Sequence, residues 1–239
     1  MKKINVIIPA AGSARRLRPF TNSVPKSLLT INGKSIISHQ LENLPRDKIE
    51  KVIIILGHMG NKIKEHINSL DISYPISFIN NSRYESTNCA YSLMKASSVL
   101  SEGALLINCD LLFKKNNIIR ILKSDFSNVV NVRNIKDYRT DLQKVKVHDN
   151  KLIKWSLNLL DANAEIMGPV RISQKAAKEI IYYYESQKPD VQLRMHCFSL
   201  ISNCITKINF HPIYVNDNDW FEIDTIEDLN NANVFYSKK

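Results

Sequence analysis

The chain has 239 residues, of which 44% are hydrophobic and 23% charged, and this length and composition favour one large α/β domain. Its formal net charge of +10 favours anionic partners, such as a nucleotide, a sugar phosphate, a nucleic acid or a membrane surface. No run of apolar residues is long enough for a transmembrane helix, and the four cysteines show no CxxC spacing, which argues against a disulfide framework and predicts a cytoplasmic protein.

The first half of the chain alternates apolar, β-branched runs with segments of helical period. The runs typical of strands buried on both faces are 4–10, 51–57, 76–80, 103–110 and 128–132. The segments with apolar residues at i, i+3 and i+4 are 35–44, 61–70, 86–100 and 116–124. This alternation predicts an α/β, three-layer Rossmann-like (GT-A-like) fold, a mostly parallel sheet with helices on both faces.

The second half has a different pattern. It predicts a hairpin over 144–156 that turns at Asp149-Asn150, strands over 165–173 and 208–215, and helices over 174–187 and 191–202. No linker rich in Pro, Gly or Ser separates the halves. We therefore expect residues 136–239 to form a small β extension of the sheet within a single domain, residues 1–239.

Small residues follow the first predicted strand, where open α/β sheets bind ligands. They let backbone N–H groups approach phosphate oxygens, and they are Ala10, Ala11, Gly12, Ser13 and Ala14. Gly12 stands alone, so the G-x-G-x-x-G dinucleotide fingerprint is absent. Arg16 and Lys26 lie on the next loop, which Pro19 and Pro25 keep out of helix. The pattern predicts a polyphosphate site, and its alternative is a solvated basic loop.

The stretch AAGSARRLRPFTNSVPKSL, residues 10–28, resembles the first loop of nucleotidylyltransferases of the sugar-phosphate and phosphocholine type. The matching positions are Ala10, Ala11, Gly12, Arg16, Leu17, Pro19, Thr21, Pro25, Lys26 and Leu28. The chain departs at Ala14, where Gly is usual, and at Arg15, where Ser or Thr is usual. The resemblance implies that residues 1–135 bind the nucleotide and that 136–239 bind the acceptor and supply a metal ligand.

Two acidic positions continue this resemblance. GALLINCDLLF carries Asp110 after its strand, and WFEIDTIEDLNNA, residues 220–232, resembles the family's W-x-E-I-D-T-x-E-D-L. The resemblance implies that Asp110 and Asp224 hold Mg²⁺, an ion that prefers one or two carboxylates plus phosphate oxygens and water. In the alternative, Asp110 caps a turn and Asp224 sits at a helix start, where Thr225 and Asp228 form a capping box.

The nucleotide and the acceptor are indicated by shorter matches. YESTNCAYSLMKA resembles the phosphocholine cytidylyltransferase-like branch through Thr87, Asn88 and Ser92, which implies CTP, because an Asn amide can meet the cytosine edge. In the alternative, Asn88 only starts a helix. AEIMGPVRIS resembles the acceptor strand through Glu165, Gly168 and Ser173.

One departure affects the acceptor. Leu157 stands where relatives carry a lysine that approaches the acceptor phosphate, so we expect Lys154 or Arg171 to replace it. The run Tyr182-Tyr183-Tyr184 is not expected to form a choline cage, because three consecutive residues on a helix face three directions.

The resemblance implies a Mg²⁺-dependent nucleotidylyltransferase that uses CTP and a small phosphate or phosphonate acceptor. Arg16 would neutralise the leaving pyrophosphate, and Lys26 would bridge the α-phosphate and the acceptor. It also implies a part in cell-envelope decoration. The alternatives are a sugar-1-phosphate nucleotidylyltransferase that uses UTP, dTTP or GTP, and a non-catalytic nucleotide-binding module. A nucleic-acid partner is not expected, because no patch interleaves basic and aromatic residues, and the oligomeric state stays open.

Overall fold

The computed structural model describes residues 3–135, 142–216 and 219–237, and the expected alternation of strands and helices is present in its first half. The strands there are β1 (Ile4–Ala10), β2 (Thr30–Ile31), β3 (Lys34–Ser35), β4 (Ile49–Leu56), β5 (Ile76–Asn80), β6 (Ala104–Leu106), β7 (Leu111–Phe113) and β8 (Val129–Asn134). The helices there are α1 (Ile36–Asn43), α2 (Gly60–Asn68), α3 (Cys89–Met94), α4 (Ser97–Leu100) and α5 (Lys115–Lys123).

The second half adds five strands and four helices within the described residues. The strands are β9 (Lys144–His148), β10 (Lys151–Ser156), β11 (Ala164–Ile172), β12 (His211–Tyr214) and β13 (Trp220–Glu222). The helices are α6 (Gln174–Glu185), α7 (Pro189–Arg194), α8 (Cys197–Ser202) and α9 (Ile226–Ser237). Among the described residues, no helix has the length and apolar character needed to cross a lipid bilayer.

The centre of the fold is a parallel block with the strand order β6-β1-β4-β5. β1 is buried on both faces, because Val6 and Ile8 belong to one core cluster and Ile7 to the other. Helices α1, α2 and α5 pack on the first cluster, and α3, α4, α6 and α8 pack on the second. The predicted three-layer α/β fold is confirmed.

The second half extends this sheet through β11. β11 runs antiparallel to β9 at its start, to β6 at its end and to β8 at both. β10 and β12 complete the nine strands. The predicted hairpin is present, and its turn residues Asp149 and Asn150 both have positive φ, 46° and 57°. The second half thus contributes β9 to β12 to the sheet, which are the predicted hairpin and the two predicted strands.

Two predicted helices are each divided in two. The segment 86–100 forms α3 and α4, and the segment 191–202 belongs to α7 and α8, with Met195 and His196 between them. Backbone hydrogen bonds from another part of the chain meet the second break: Asn88 N–H donates to Leu193 O at 2.7 Å, and Ala90 N–H donates to Met195 O at 3.2 Å. These hydrogen bonds hold the residues between α7 and α8 against the start of α3.

Candidate active site

The loop after β1 is held closely by its neighbours. Ala11 O accepts a hydrogen bond from His58 N at 3.0 Å, and a Cβ on Gly57 would lie only 2.6 Å from the same oxygen. Ala14 has φ 47°, in the left-handed region that favours glycine, so this departure from the family pattern costs about 1 kcal/mol of backbone strain. Ala14 thus takes a left-handed conformation that glycine adopts more easily.

Three short 3₁₀ turns, Arg15–Leu17, Phe20–Asn22 and Lys26–Leu28, shape the basic loop that follows. Thr21 Oγ1 ties the loop to Ala14 by donating to its carbonyl oxygen at 2.9 Å. The Lys26 side chain is only 11% exposed, whereas that of Arg16 is 63% exposed. Lys26 is therefore not part of a solvated loop, and Arg16 lies at the entrance to the site.

A two-stranded pairing brings the two acidic positions together. β7 begins directly after Asp110, and β13 ends two residues before Asp224. In the antiparallel β13–β7 pair, Glu222 faces Leu111, and Ile223 N–H donates to Asp110 O at 3.0 Å. Residues distant in sequence thus meet at the carboxyl end of the parallel block.

Lys26 joins the two carboxylates. Its Nζ lies 2.8 Å from Asp110 Oδ2 and 2.6 Å from Asp224 Oδ1, and Arg16 Nη2 lies 3.0 Å from Asp224 Oδ2. Burial alone would lower the pKa of Lys26, but the charges of Asp110 and Asp224 outweigh burial and hold this pKa above its ordinary value. Lys26 therefore stays protonated between two anions.

The same geometry fits a divalent cation. Both carboxylates lie next to the same positively charged atom, Lys26 Nζ. Asp110 Oδ1 is buried without a hydrogen-bond donor among the described residues. Mg²⁺ is commonly held by one or two carboxylates together with phosphate oxygens and water. Asp110 and Asp224 thus form a suitable donor set for this ion.

The helix cap next to Asp224 is made by other residues. Thr225 Oγ1 accepts from Asp228 N–H at 3.1 Å, and Asp228 Oδ2 accepts from Thr225 N–H at 2.8 Å. This capping box starts α9 and leaves the Asp224 carboxylate to Lys26 and Arg16. The helix cap at the start of α9 is therefore compatible with a metal-binding role for Asp224.

A cavity of about 640 Å³ opens beside these charged groups. The first half of the chain contributes one wall, formed by Pro9, Gly12, Ala14, Arg16, Lys26, Cys89, Asn108, Cys109 and Asp110. The second half contributes the other, formed by Gln143, Trp155, Ser156, Leu157, His196, Cys197, Phe198, Ser199, Ser202, Asn203 and Asp224. The cavity joins the predicted nucleotide and acceptor parts.

The expected base-binding residues lie in a neighbouring cavity of about 130 Å³. Thr87 and Asn88 line it together with Ala11 and Gly12, whereas Ala10 and Ser13 line neither cavity. Asn88 Nδ2 donates to Arg194 O at 3.0 Å and lies 3.0 Å from His196 Nε2. The Asn88 amide nitrogen thus already contacts the segment between α7 and α8.

Two of the expected acceptor residues lie within the fold. Glu165 is fully buried, and Arg133 Nε donates to its Oε2 at 3.0 Å. Gly168 has φ 50°, and a Cβ there would lie 2.4 Å from Leu111 Cδ1. Neither residue lines the cavity; Gly168 lets β11 pass close to the strand that follows Asp110.

The two cations expected to replace the missing lysine lie elsewhere, which corrects that expectation. Lys154 is 54% exposed and pairs with Asp161 at 2.8 Å, because strand alternation turns it away from the neighbouring, cavity-lining Trp155. Arg171 donates to Ile121 O at 2.8 Å and to Leu122 O at 3.0 Å, at the end of α5. Arg171 therefore stabilises the end of α5 and does not line the cavity.

Sequence reasoning missed the cavity residues of α8 and of the segment before it. His196 and Cys197 lie in a segment with a helical pattern, and Gln143, Ser199 and Asn203 have no motif around them. The interrupted helix turns His196, Cys197 and Ser199 toward the cavity. A local pattern does not signal such a break when contacts with α3 determine it.

Clustered cations and carboxylates at the carboxyl end of a parallel sheet are typical of a site that binds a phosphorylated ligand. The nucleotidyl transferase family model matches residues 5–151. The chain belongs to this family and is an enzyme of the nucleotidyltransferase type, as the sequence predicts.

Relatives with known names agree with this family. The chain is 24% identical to the CTP:phosphoglutamine cytidylyltransferase of Campylobacter jejuni, over 95% of this chain and 98% of that protein. It is 33% identical to the choline-phosphate cytidylyltransferase of Streptococcus pneumoniae, over 49% of this chain and 51% of that protein. The fold is similar to that of the inositol-1-phosphate CTP transferase from T. maritima, with a TM-score of 0.82, 19% identity and coverage of 100% and 96%.

Proposed function

We propose that the chain is a Mg²⁺-dependent cytidylyltransferase that joins CMP to a small phosphate or phosphonate acceptor and releases pyrophosphate. The observation that carries this proposal is the convergence of Lys26 on Asp110 and Asp224 beside a cavity with walls from both halves of the chain. The names of the relatives support cytidyl transfer to phosphorylated acceptors.

In this reaction an acceptor oxygen attacks the α-phosphorus of CTP, and the bond to the bridging oxygen of pyrophosphate breaks. Lys26 holds its ammonium group where the α-phosphate and the acceptor phosphate meet, and Arg16 stabilises the charge on the leaving pyrophosphate. Mg²⁺, held by Asp110 and Asp224 when bound, supplies further charge neutralisation. No covalent enzyme intermediate is needed, because positioning and electrostatics provide most of the catalysis in phosphoryl transfer.

We place the base near the small cavity formed by Gly12 and Thr87. Because the Asn88 amide nitrogen contacts Arg194 and His196, we assign Asn88 to holding the cavity wall instead of reading the base with that nitrogen. Selection of cytosine is then expected to involve backbone groups of the loop and of the start of α3.

The second-half wall supports a small acceptor that carries hydrogen-bonding groups. It presents amide, hydroxyl and imidazole side chains from Gln143, Ser199, Asn203 and His196, with Leu157 where relatives carry a lysine. Among the side chains of the site, Lys26 would then be the chief partner of the acceptor phosphate. We also propose that the enzyme acts in the cytoplasm and contributes to cell-envelope decoration.

The test is pyrophosphate release with Mg²⁺, in which four nucleoside triphosphates are crossed with choline phosphate, aminoethylphosphonate, glycerol phosphates, amino-acid phosphates and sugar 1-phosphates. Release with CTP and one small phosphate or phosphonate supports the proposal. Release with UTP, dTTP or GTP and a sugar 1-phosphate would replace it with the sugar-nucleotide alternative. CTP binding without release for any acceptor would contradict the proposed acceptor class.

A further inference from the structure

One part of the cavity wall brings together two thiols and an imidazole. Cys89 begins α3, Cys197 begins α8, and Cys197 N–H donates to Cys89 Sγ at 3.0 Å. The Cys197 thiol and the His196 imidazole also lie close enough to Cys89 to change the pKa of its thiol. All three residues line the larger cavity, and Cys89 also lines the smaller one.

The surrounding backbone fixes this arrangement. Hydrogen bonds from Asn88 N–H to Leu193 O and from Ala90 N–H to Met195 O join the residues on either side of Cys89 to the segment before Cys197. Cys197 therefore lies next to the Cys89 sulfur because these two parts of the backbone are joined. Their proximity does not depend on an exposed or unattached loop.

Cys89 differs from the other described cysteines in its surroundings. Burial raises the pKa of Cys109 to about 12 and that of Cys204 to about 11, which keeps both as unreactive thiols. Hydrogen bonds from Cys197 and His196 instead lower the pKa of Cys89 well below its ordinary value. A thiolate is the reactive form of cysteine, so reactivity is expected to concentrate at Cys89.

We propose that Cys89 is a modification site for small hydroperoxides and that Cys197 resolves the product as an intramolecular disulfide. The Cys89 thiolate attacks one peroxide oxygen, the O–O bond breaks, and the leaving oxygen takes a proton to give water or an alcohol. The Cys197 sulfur then attacks the Cys89 sulfenic acid, the S–O bond breaks, and the hydroxyl leaves with the Cys197 proton as water. Two thiols are oxidised, and one peroxide is reduced.

The resulting disulfide would join the starts of α3 and α8 across the cavity wall. Formation of this disulfide is separate from the proposed nucleotidyl transfer. The test detects a disulfide between two peptides and does not measure transfer, so a negative result is distinguishable from a failure of the proposed reaction.

The full chain is treated with a small excess of hydrogen peroxide at neutral pH, alkylated, digested with trypsin and analysed by mass spectrometry without reduction. We expect a link between peptide 84–95, which carries Cys89, and peptide 195–207, which carries Cys197 and Cys204. Thiol reductant should remove the link. In the untreated protein, Cys89 should alkylate at least about tenfold faster than Cys109 and Cys204.

Single variants identify the sulfur atoms. Cys204→Ser is the matched control and should retain the link, because Cys197 is then the one cysteine left in peptide 195–207. Cys197→Ser should lose the link and accumulate a Cys89 sulfenic acid that dimedone traps. Loss of the link in Cys204→Ser, no link in the wild type, or equal alkylation of Cys89 and Cys204 would overturn the proposal. If Cys197→Ser fails to fold, the relative alkylation rates of the wild-type cysteines decide the matter.

Discussion

Lys26 Nζ lies 2.8 Å from Asp110 Oδ2 and 2.6 Å from Asp224 Oδ1, so one mostly buried ammonium group joins two carboxylates from distant parts of the chain. Removing one partner from such a set leaves the others desolvated and unpaired, which is costly. The contact thus stabilises the folded site and holds together the groups that we propose act in the reaction.

Lys26→Ala is expected to lower turnover at least about a hundredfold, the usual order for losing a preorganised charge that stabilises a transition state. The matched control is Lys34→Ala, which removes an exposed lysine paired with Glu42 and should leave turnover within about twofold. Steady-state kinetics on both purified variants provide the comparison. Near-normal turnover in folded Lys26→Ala would refute the assigned role.

Substitutions of Asp224 and Asp228, which are four residues apart, should have different effects: one on turnover and the other on stability. Asp224→Asn removes charge from the metal and Lys26 site, so turnover should fall at least about a hundredfold. Asp228→Ala removes half of the capping box of α9 and should cost about 1 kcal/mol of unfolding free energy with turnover largely kept. Denaturant unfolding and kinetics on each variant test this, and equal losses of turnover would contradict the separation.

Lys154 and Arg171 test the corrected acceptor site. Lys154→Ala should leave KM for the acceptor within about twofold, because its exposed pair with Asp161 lies outside the cavity. Arg171→Ala should lower the melting temperature without changing that KM, since it loses hydrogen bonds to the carbonyl groups that end α5. A clear rise in KM for either variant would restore the original expectation.

The rate of Cys89 alkylation should depend on pH with a midpoint below that of an ordinary thiol. The groups that face Cys89 are Cys197 and His196, whose hydrogen bonds stabilise the thiolate and lower the pKa of Cys89. His196→Gln removes one of them, so the midpoint should move to higher pH. Iodoacetamide kinetics followed by peptide mass spectrometry give both midpoints. An unchanged midpoint would show that His196 does not act on Cys89.

The parallel block could be predicted from the sequence because its strands and helices carry strong local patterns. β1 and β4 are nearly continuous apolar runs, and α1, with one apolar stripe, lies between them. The approach of Asp110 to Asp224 needed the family resemblance, because the β7–β13 pair has only three residues in each strand and no clear alternation.

The cavity wall of the second half could not be predicted, because tertiary contacts decide it. The sequence VQLRMHCFSLIS has no Gly or Pro that would end a helix at its break. Backbone hydrogen bonds from Asn88 and Ala90 to this segment are found there instead. Lys154 lies three residues before Leu157 in the sequence, but strand alternation turns its side chain away from the cavity.

The most direct test of the central claim is the product formed from CTP and its best acceptor, measured together with pyrophosphate and with Mg²⁺ either present or chelated. The account predicts one CMP-linked acceptor for each pyrophosphate, loss of both on chelation, and recovery of both when Mg²⁺ is restored. Release of inorganic phosphate without a CMP-linked product, or an equal rate in excess chelator, would contradict it.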